Sequence, residues 1–307
     1  MIESVTVVNQ RGESVEMVLS NPNTSGFIVK EVSGLGPAKA HINTSSSAFL
    51  RGSQYNSAKV ESRNIVLHLA MLESPSVEDN RHKLYNLFQP AQPVELIFNT
   101  TKRKSRIAGW VETNEPDIFS DMESAQISVL CPDPYFRDAM FEGGRLSKTF
   151  NSYAPSFEFP FSNESLTSDT LEVGTLEPVT SVSIDYPGDV ETGMVVEFVV
   201  LDAAGFRGGF AIYNDTHTQR LEIDWSKLGL GYDWSAGDRF RISTISGDLK
   251  MTAFKPNTME TTNVTYGVKV TGGWPKLRPG ENHLGVNYTA GAIDELTITA
   301  DVLYGGV

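Results

Sequence analysis

The stretch VETNEPDIFSDMESAQISVLCPDPYFR, residues 111–137, decides the fold of this chain. It predicts a strand, an acidic turn containing Pro116, and a second strand. The apolar residues of the second strand fall at every other position, the period of a half-buried strand: Ala125, Ile127, Val129 and Cys131. Pro132 and Pro134 then end this strand, because proline cannot donate a hydrogen bond to a sheet and restricts the residue before it.

The rest of the first half of the sequence predicts mainly strands and one helix. Ser4–Asn9 and Ser14–Leu19 flank a turn that ends in Gly12, which predicts a β-hairpin. Further strands are predicted at Phe27–Val32, Ile65–Leu72, Val94–Phe98 and Ile107–Val111. The helix is predicted at Val77–Phe88, with Ser76 as its N-cap and Pro90 just past its end.

The turn that joins the strands at 94–98 and 107–111 is basic. Four cations fall within five positions: Lys102, Arg103, Lys104 and Arg106. One interpretation is a solvated turn, since exposed charges contribute little to stability. The other is a contact with an acidic surface on a neighbouring protein.

The second half predicts only short strands and turns, without a helical period. The predicted strands are Phe157–Phe161, Val179–Ile184, Thr192–Leu201, Phe210–Ile212, Arg220–Ile223, Arg239–Thr244 and Gly267–Val270. Gly, Asp and Asn clusters separate them. This pattern indicates an antiparallel β-sandwich or jelly roll. With 307 residues, the chain is expected to form two domains, at 1–138 and 139–307, and a mainly β fold.

Charge and motifs exclude several classes of function. The net charge is −13, and residues 139–307 carry most of the acidic excess, which argues against a tight grip on duplex DNA. The sequence has no membrane-spanning run or signal peptide, so we expect a protein that stays in the cytoplasm of the cell that makes it, without membrane insertion. It lacks the hydrolase, phosphate-loop and zinc-protease motifs. We therefore expect no catalytic, cofactor-binding or metal-binding residues.

Aromatic and acidic residues recur in the second half, a mixture that can stack on a sugar ring and hydrogen-bond its hydroxyls. The aromatic members are Tyr213, Trp225, Tyr232, Trp234 and Trp274. Packing in a sandwich core is the competing interpretation, because aromatic residues are common there. The sequence leaves both open.

Several short motifs, in order, resemble the distal tail (Dit) proteins of long-tailed, non-contractile bacteriophages. They are IVLHLAML (65–72), VEDNRHKLYNLFQP (77–90), VELIFNT (94–100), AGWVETNEPDIFS (108–120), AQISVLCPDPYF (125–136) and, near the end, PGENHLGVNY (279–288). The resemblance covers nearly all of the first half except residues 9–50, and it extends to the end of the chain.

This resemblance implies a structural virion protein. The N-terminal domain would be a tail-tube-related β-sandwich with one flanking helix, and the C-terminal domain a sandwich similar to galectins and carbohydrate-binding modules. Six copies would form a ring at the tail tip, joining the tail tube protein to the tail-tip protein or baseplate, with the tape measure protein as a further partner. DNA would pass through without specific binding. The alternatives are a host-surface carbohydrate-binding module and a cell-wall polysaccharide hydrolase.

Overall fold

The structure is a computed structural model that describes residues 1–46, 51–150, 153–155, 174–176, 181–207, 209–214, 216, 218–228, 234–289 and 292–307. The chain folds as two compact units. Unit 1 comprises Met1–Gly144 and Leu303–Val307, and unit 2 comprises Arg145–Val302. The last five residues, which we expected in the second domain, thus belong to unit 1.

Unit 1 is built from strands and one helix, α1 (Val77–Leu87). Its strands are β1 (Ile2–Asn9), β2 (Ser14–Val18), β3 (Phe27–Ser33), β4 (Ala40–Ser45), β5 (Gln54–Val60), β6 (Arg63–Met71), β7 (Pro93–Thr100), β8 (Lys104–Asp117), β9 (Ser124–Cys131), β10 (Phe136–Asp138) and β25 (Leu303–Tyr304). Seven of them form an antiparallel path in the order β2-β1-β7-β8-β9-β6-β3, and β10 joins it by pairing with β8 and β25. Strands β4 and β5 form a separate two-stranded sheet.

The opening stretch of sequence forms β8, β9 and the segment that follows them, as its pattern predicts. The alternating apolar residues of β9 are all buried, and the strand ends at Cys131, directly before Pro132. The predicted turn is shorter than expected, because Pro116 still lies in β8, opposite Ala125 of β9. A proline is tolerated there because it stands near the end of the strand, where few ladder hydrogen bonds remain.

Helix α1 is fixed at its N-terminus by two side chains. The Ser76 hydroxyl accepts a hydrogen bond from the Asp79 backbone N–H at 3.1 Å, the predicted N-cap. Asn80, which is buried, donates from Nδ2 to the carbonyls of Leu72 (2.9 Å) and Ser74 (3.0 Å). These bonds tie the start of the helix to the end of β6.

The described residues of unit 2 form two larger sheets and two four-residue helices, α2 (Ala203–Phe206) and α3 (Trp225–Leu228), which the sequence did not predict. Its strands are β11 (Arg145–Phe150), β12 (Tyr153–Pro155), β13 (Gly174–Leu176), β14 (Ser181–Tyr186), β15 (Thr192–Val200), β16 (Phe210–Asn214), β17 (Gln219–Ile223), β18 (Arg239–Ser243), β19 (Lys250–Lys255), β20 (Glu260–Asn263), β21 (Val268–Thr271), β22 (Lys276–Leu277), β23 (Gly280–Tyr288) and β24 (Ile293–Asp301). The predicted strand at 157–161 lies outside the described residues.

The two sheets of unit 2 enclose an aromatic core. One sheet has the order β11-β24-β15-β18-β19-β20, with β22 paired to β15, and the other has the order β14-β23-β16-β17-β21. Phe198 of β15 stacks on Phe210 of β16 with ring centroids 4.5 Å apart. Phe206 and Phe240 complete the cluster. The mainly β fold predicted from the sequence is confirmed.

Candidate functional site

The basic turn between β7 and β8 is the first candidate surface. Residues 101–103 form the turn itself, while Lys104 and Arg106 lie in β8. The side chains of Lys102 and Lys104 are exposed, whereas those of Arg103 and Arg106 are partly buried. The four cations therefore do not form one solvated group.

Both arginines of this turn have contacts within unit 1. Arg106 Nη1 lies 3.4 Å from Glu95 Oε1. The Arg103 guanidinium carbon lies 4.5 Å from the centroid of the Tyr304 ring, and the Tyr304 hydroxyl donates to Asp138 Oδ2 at 2.6 Å. Both arginines therefore have contacts within unit 1, and the two exposed lysines are the side chains best placed to meet a partner protein.

The β4–β5 hairpin is a second candidate surface, which we call the arm (Ala40–Ser45 and Gln54–Val60). Nearly all of its side chains are exposed, including Ile42 (59%) and Tyr55 (63%). A two-stranded hairpin without a packed face is marginally stable in water. The arm is therefore a segment that a partner surface would stabilise.

Unit 1 also exposes apolar side chains near the β8–β9 hairpin. Phe119, in the turn between the two strands, is 95% exposed, and Ile118 and Met122 beside it are exposed as well. Farther along, Trp110 of β8 (50% exposed) stands opposite Leu130 of β9. Neighbouring exposed apolar side chains, unlike single ones, are typical of interaction surfaces.

A pocket of about 490 Å³ lies beside Trp110. Tyr135 contributes a second aromatic wall, and Arg106, Asp133 and Arg137 line its edge. An aromatic centre bordered by ionic groups is the usual composition of a protein–protein interface. The pocket and the apolar turn are thus two distinct surfaces of the same unit.

Arg63 holds the C-terminal strand in unit 1. It is 4% exposed, and its guanidinium carbon lies 4.5 Å from the centroid of the Phe136 ring. It donates to four backbone carbonyls: those of Pro134 (2.8 Å), Gly34 (2.6 Å), Gly36 and Gly305 (2.7 Å). Burial lowers the pKa of Arg63 from its ordinary value. The carbonyl oxygens compensate for the water that this cation loses.

Cys131, which pairs with Arg63 across β9 and β6, is fully buried. Burial raises the pKa of its thiol to about 11, more than the nearby Arg63 charge lowers it. A buried neutral thiol is chemically inert, since the thiolate is the reactive form. The structure gives this cysteine a packing role.

The aromatic residues predicted as a saccharide site lie in different environments. Trp234 is 6% exposed and packs edge-on against Phe206, with centroids 5.2 Å apart, so it presents no open ring face. Tyr213 on β16 and Trp274 before β22 are partly exposed. Trp225 begins α3, and Tyr232 lies outside the described residues. A saccharide contact at the remaining members stays a prediction.

No described helix has the length and apolar character needed to cross a membrane. Among the described residues no group of three His, Cys, Asp or Glu side chains is placed to hold a metal ion.

Comparison with known proteins finds a similarity for part of unit 1. Residues 21–131 match the family model of the phage tail protein RIFT-related domain. These residues cover β3 to β9, including the arm and α1. No curated protein matches the chain.

Among solved structures, the Dit protein of phage SPP1 aligns with 97% of this chain and 98% of its own length, at 11% identity and a TM-score of 0.57. That protein is described as a paradigm of the hub adsorption apparatus in phages that infect Gram-positive bacteria. Two structures of the phage P2 baseplate in its activated conformation align over 98% and 96% of this chain and 98% and 97% of theirs. Their identities are 9% and 8%, and their TM-scores of 0.40 and 0.38 are too low to establish a shared fold.

Residues 21–131 are therefore similar to the phage tail RIFT-related domain. The whole chain has the fold of a distal tail protein, which confirms the resemblance drawn from the sequence.

Proposed function

We propose that this protein is the structural hub at the distal end of a siphophage tail. Six copies form a ring that joins the tail tube protein on one side to the tail-tip or baseplate protein on the other. The tape measure protein is a further partner, and DNA passes through the central channel. The observation that carries the proposal is the combination of a phage tail domain at residues 21–131 with a whole-chain likeness to a Dit protein. The role is structural and not enzymatic, and the protein is located at the virion tail tip after synthesis in the host cytoplasm.

A closed ring needs two different, complementary surfaces on each copy. Unit 1 offers candidates for both. The arm is exposed on nearly every side chain and gains stability by pairing or packing against a neighbour. The Trp110 pocket and the apolar turn at Phe119 supply apolar area that a neighbouring copy would remove from water.

The two exposed lysines of the basic turn favour contact with an acidic component. The chain carries 38 Asp and Glu against 25 Lys and Arg, so a second copy or an adjoining tail protein of similar charge would attract Lys102 and Lys104.

Light scattering of the full chain, in line with size-exclusion chromatography, tests the ring. The native chain is expected to elute as a hexamer, alone or after the tail tube protein is added. The double variant Ile42→Ser and Tyr55→Ser should shift the equilibrium toward monomer, because it removes the apolar side chains of the arm. Met259→Ser is the matched control, since Met259 is a highly exposed apolar residue of unit 2.

Each alternative function gives a different result. A carbohydrate-binding module without an assembly role would remain monomeric at every concentration, with or without the tube protein. A polysaccharide hydrolase would release reducing sugars from host wall polymer. Either result would refute the proposed function as a tail hub.

A further inference from the structure

The outward face of the larger sheet of unit 2 carries one polar side chain from each of six adjacent strands at the same level. Strand register places these residues side by side: Thr149 (β11), Thr297 (β24), Glu197 (β15), Arg241 (β18), Thr252 (β19) and Asn263 (β20). Directly paired residues of an antiparallel sheet project to the same face. The neighbours in sequence, Leu296, Phe198 and Phe240, point the other way and are buried. We call this row the polar rung.

The polar groups of the rung are ordered by one another. Arg241 Nε lies 3.2 Å from Glu197 Oε1, and both side chains are partly exposed. At the edge of the sheet, the hydroxyl oxygens of Thr149 and Thr297 are 3.0 Å apart. Donors and acceptors are thus held at fixed spacing, while each guanidinium or carboxylate group keeps further hydrogen-bonding capacity.

The rung forms the floor of a groove. A depression of about 550 Å³ is lined by Glu197, Arg241 and Thr252 and by the neighbouring Phe254 and Val199. A second depression of about 260 Å³ shares Glu197 and Arg241, so the two adjoin at this ion pair. Small-molecule sites commonly enclose about 300–1,000 Å³. The groove is therefore large enough for an oligosaccharide.

The chemistry of the lining defines the ligand. The larger depression carries two guanidinium groups, on Arg239 and Arg241, and one carboxylate, on Glu197, so its net charge is small. Hydroxyl groups of three threonines surround them: Thr252, Thr261 and Thr297. Phe254 is partly exposed at the next level of the sheet, opposite Arg239. An aromatic ring beside paired charges and hydroxyls provides a stacking surface together with hydrogen bonds to neighbouring hydroxyls of a sugar.

We propose that this groove binds a neutral oligosaccharide across the polar rung, with Phe254 against a sugar ring and the Glu197–Arg241 pair hydrogen-bonded to its hydroxyl groups. The site is separate from the aromatic residues suggested by the sequence, since Tyr213 and Trp274 are absent from its lining. The proposal does not depend on the ring, because unit 2 supplies every residue of the groove.

Saturation-transfer NMR of the full chain with a panel of trisaccharides tests the proposal. The neutral probes are maltotriose, cellotriose and triacetylchitotriose, and trigalacturonate is the anionic probe. We expect transfer to at least one neutral probe, with a Kd on the order of 1 mM. Phe254→Ala and Arg241→Met should each weaken that binding about tenfold, because each removes a stacking or hydrogen-bonding contact.

Two matched variants control for general surface effects. Tyr266→Ala removes an exposed aromatic side chain of unit 2 that does not line the groove. Arg220→Met breaks the Arg220–Glu222 ion pair on the other sheet. Both should leave binding unchanged, and thermal unfolding should show that all four variants are folded.

Three results would overturn the proposal. The first is the absence of saturation transfer to every neutral probe at ~10 mM, the upper range of a weak site. The second is transfer to trigalacturonate alone. The third is binding of a neutral probe that neither Phe254→Ala nor Arg241→Met weakens. If a groove variant fails to fold, Thr252→Val is used in its place, since it removes one hydroxyl from the same floor. Unchanged binding in that variant together with the remaining groove variant counts against the proposal.

Discussion

Replacing Arg63 by Lys tests whether one buried guanidinium holds the C-terminal strand in unit 1. The native side chain directs hydrogen bonds to four carbonyls that belong to three separate segments of the chain, at Gly34 and Gly36, at Pro134 and at Gly305. The planar guanidinium presents donors in several directions, whereas a lysine ammonium presents three donors from one nitrogen. The variant therefore leaves at least one of the four carbonyls without its donor.

The expected loss of stability follows from the number of bonds broken. A hydrogen bond to a charged group contributes about 1.5–3 kcal/mol. The loss of one or two such bonds should lower the free energy of unfolding of unit 1 by about 1.5–6 kcal/mol. Arg145→Lys is the control, since Arg145 is an exposed residue paired with Asp301 at 2.8 Å. A surface pair of this kind contributes ~0–1 kcal/mol.

Denaturant unfolding and hydrogen exchange together measure the effect. Peptides that contain Gly305 should exchange faster in Arg63→Lys than in the native chain, because the carbonyl that anchors β25 has lost its donor. Peptides from unit 2 should keep their protection. A loss below about 1 kcal/mol, in the range of surface substitutions, with unchanged exchange at the C-terminus would show that the guanidinium does not hold the strand.

Four further predictions follow from individual sites. Cys131 should resist labelling by iodoacetamide in the native protein at pH 9, and fast labelling would contradict this expectation. The free energy of unfolding should fall between pH 9.0 and about 11, because the thiol ionises at a lower pH in the unfolded chain than in the folded one. Ser105→Ala should raise the free energy of unfolding by up to ~1 kcal/mol, because its buried Oγ has no hydrogen-bond partner among the described residues; a lowered melting temperature would reveal a hidden partner. Replacing Lys102 and Lys104 by Ser should leave the melting temperature unchanged but weaken assembly. If the assembly sediments as it does with the native chain, the two lysines are only solvated side chains. Proteolysis within residues 139–144 should leave the two fragments associated, because β25 pairs with β10; separation on gel filtration without denaturant would refute that.

The sequence predicted the elements whose signals are local. Strand β9 alternates apolar and polar residues and ends at a proline, and α1 begins at a serine N-cap. Both patterns depend only on residues a few positions apart in the sequence. The predicted bounds of β9 and α1 therefore agree with the structure to within one or two residues.

The arm was not predicted, because an alternating pattern of apolar and polar residues reflects burial in the core of the chain itself. Its strands are exposed on both faces, so residues 40–45 and 54–60 present no buried apolar face to detect. The pairing of β25 with β10 was missed for a different reason. It joins Tyr304 to Phe136 across most of the chain, and a two-residue strand carries no pattern of its own.

The candidate site residues show that composition alone does not locate a functional site. Four cations in five positions suggest one basic tip, but Arg106 lies beside Glu95 whereas Lys102 is exposed. Aromatic content likewise did not distinguish Trp234, in the core, from Tyr213, on the sheet. Both distinctions depend on tertiary packing, which the local sequence does not encode.

Electron microscopy of the purified full-length protein tests the central proposal most directly. Two-dimensional class averages, recorded alone and after mixing with the tail tube protein, should show a ring with six-fold symmetry and a central opening. Six copies of a 33.7 kDa chain give a particle of about 202 kDa, large enough for such averages. Particles without rotational symmetry in both samples, or a closed ring of another order, would contradict the proposed hub.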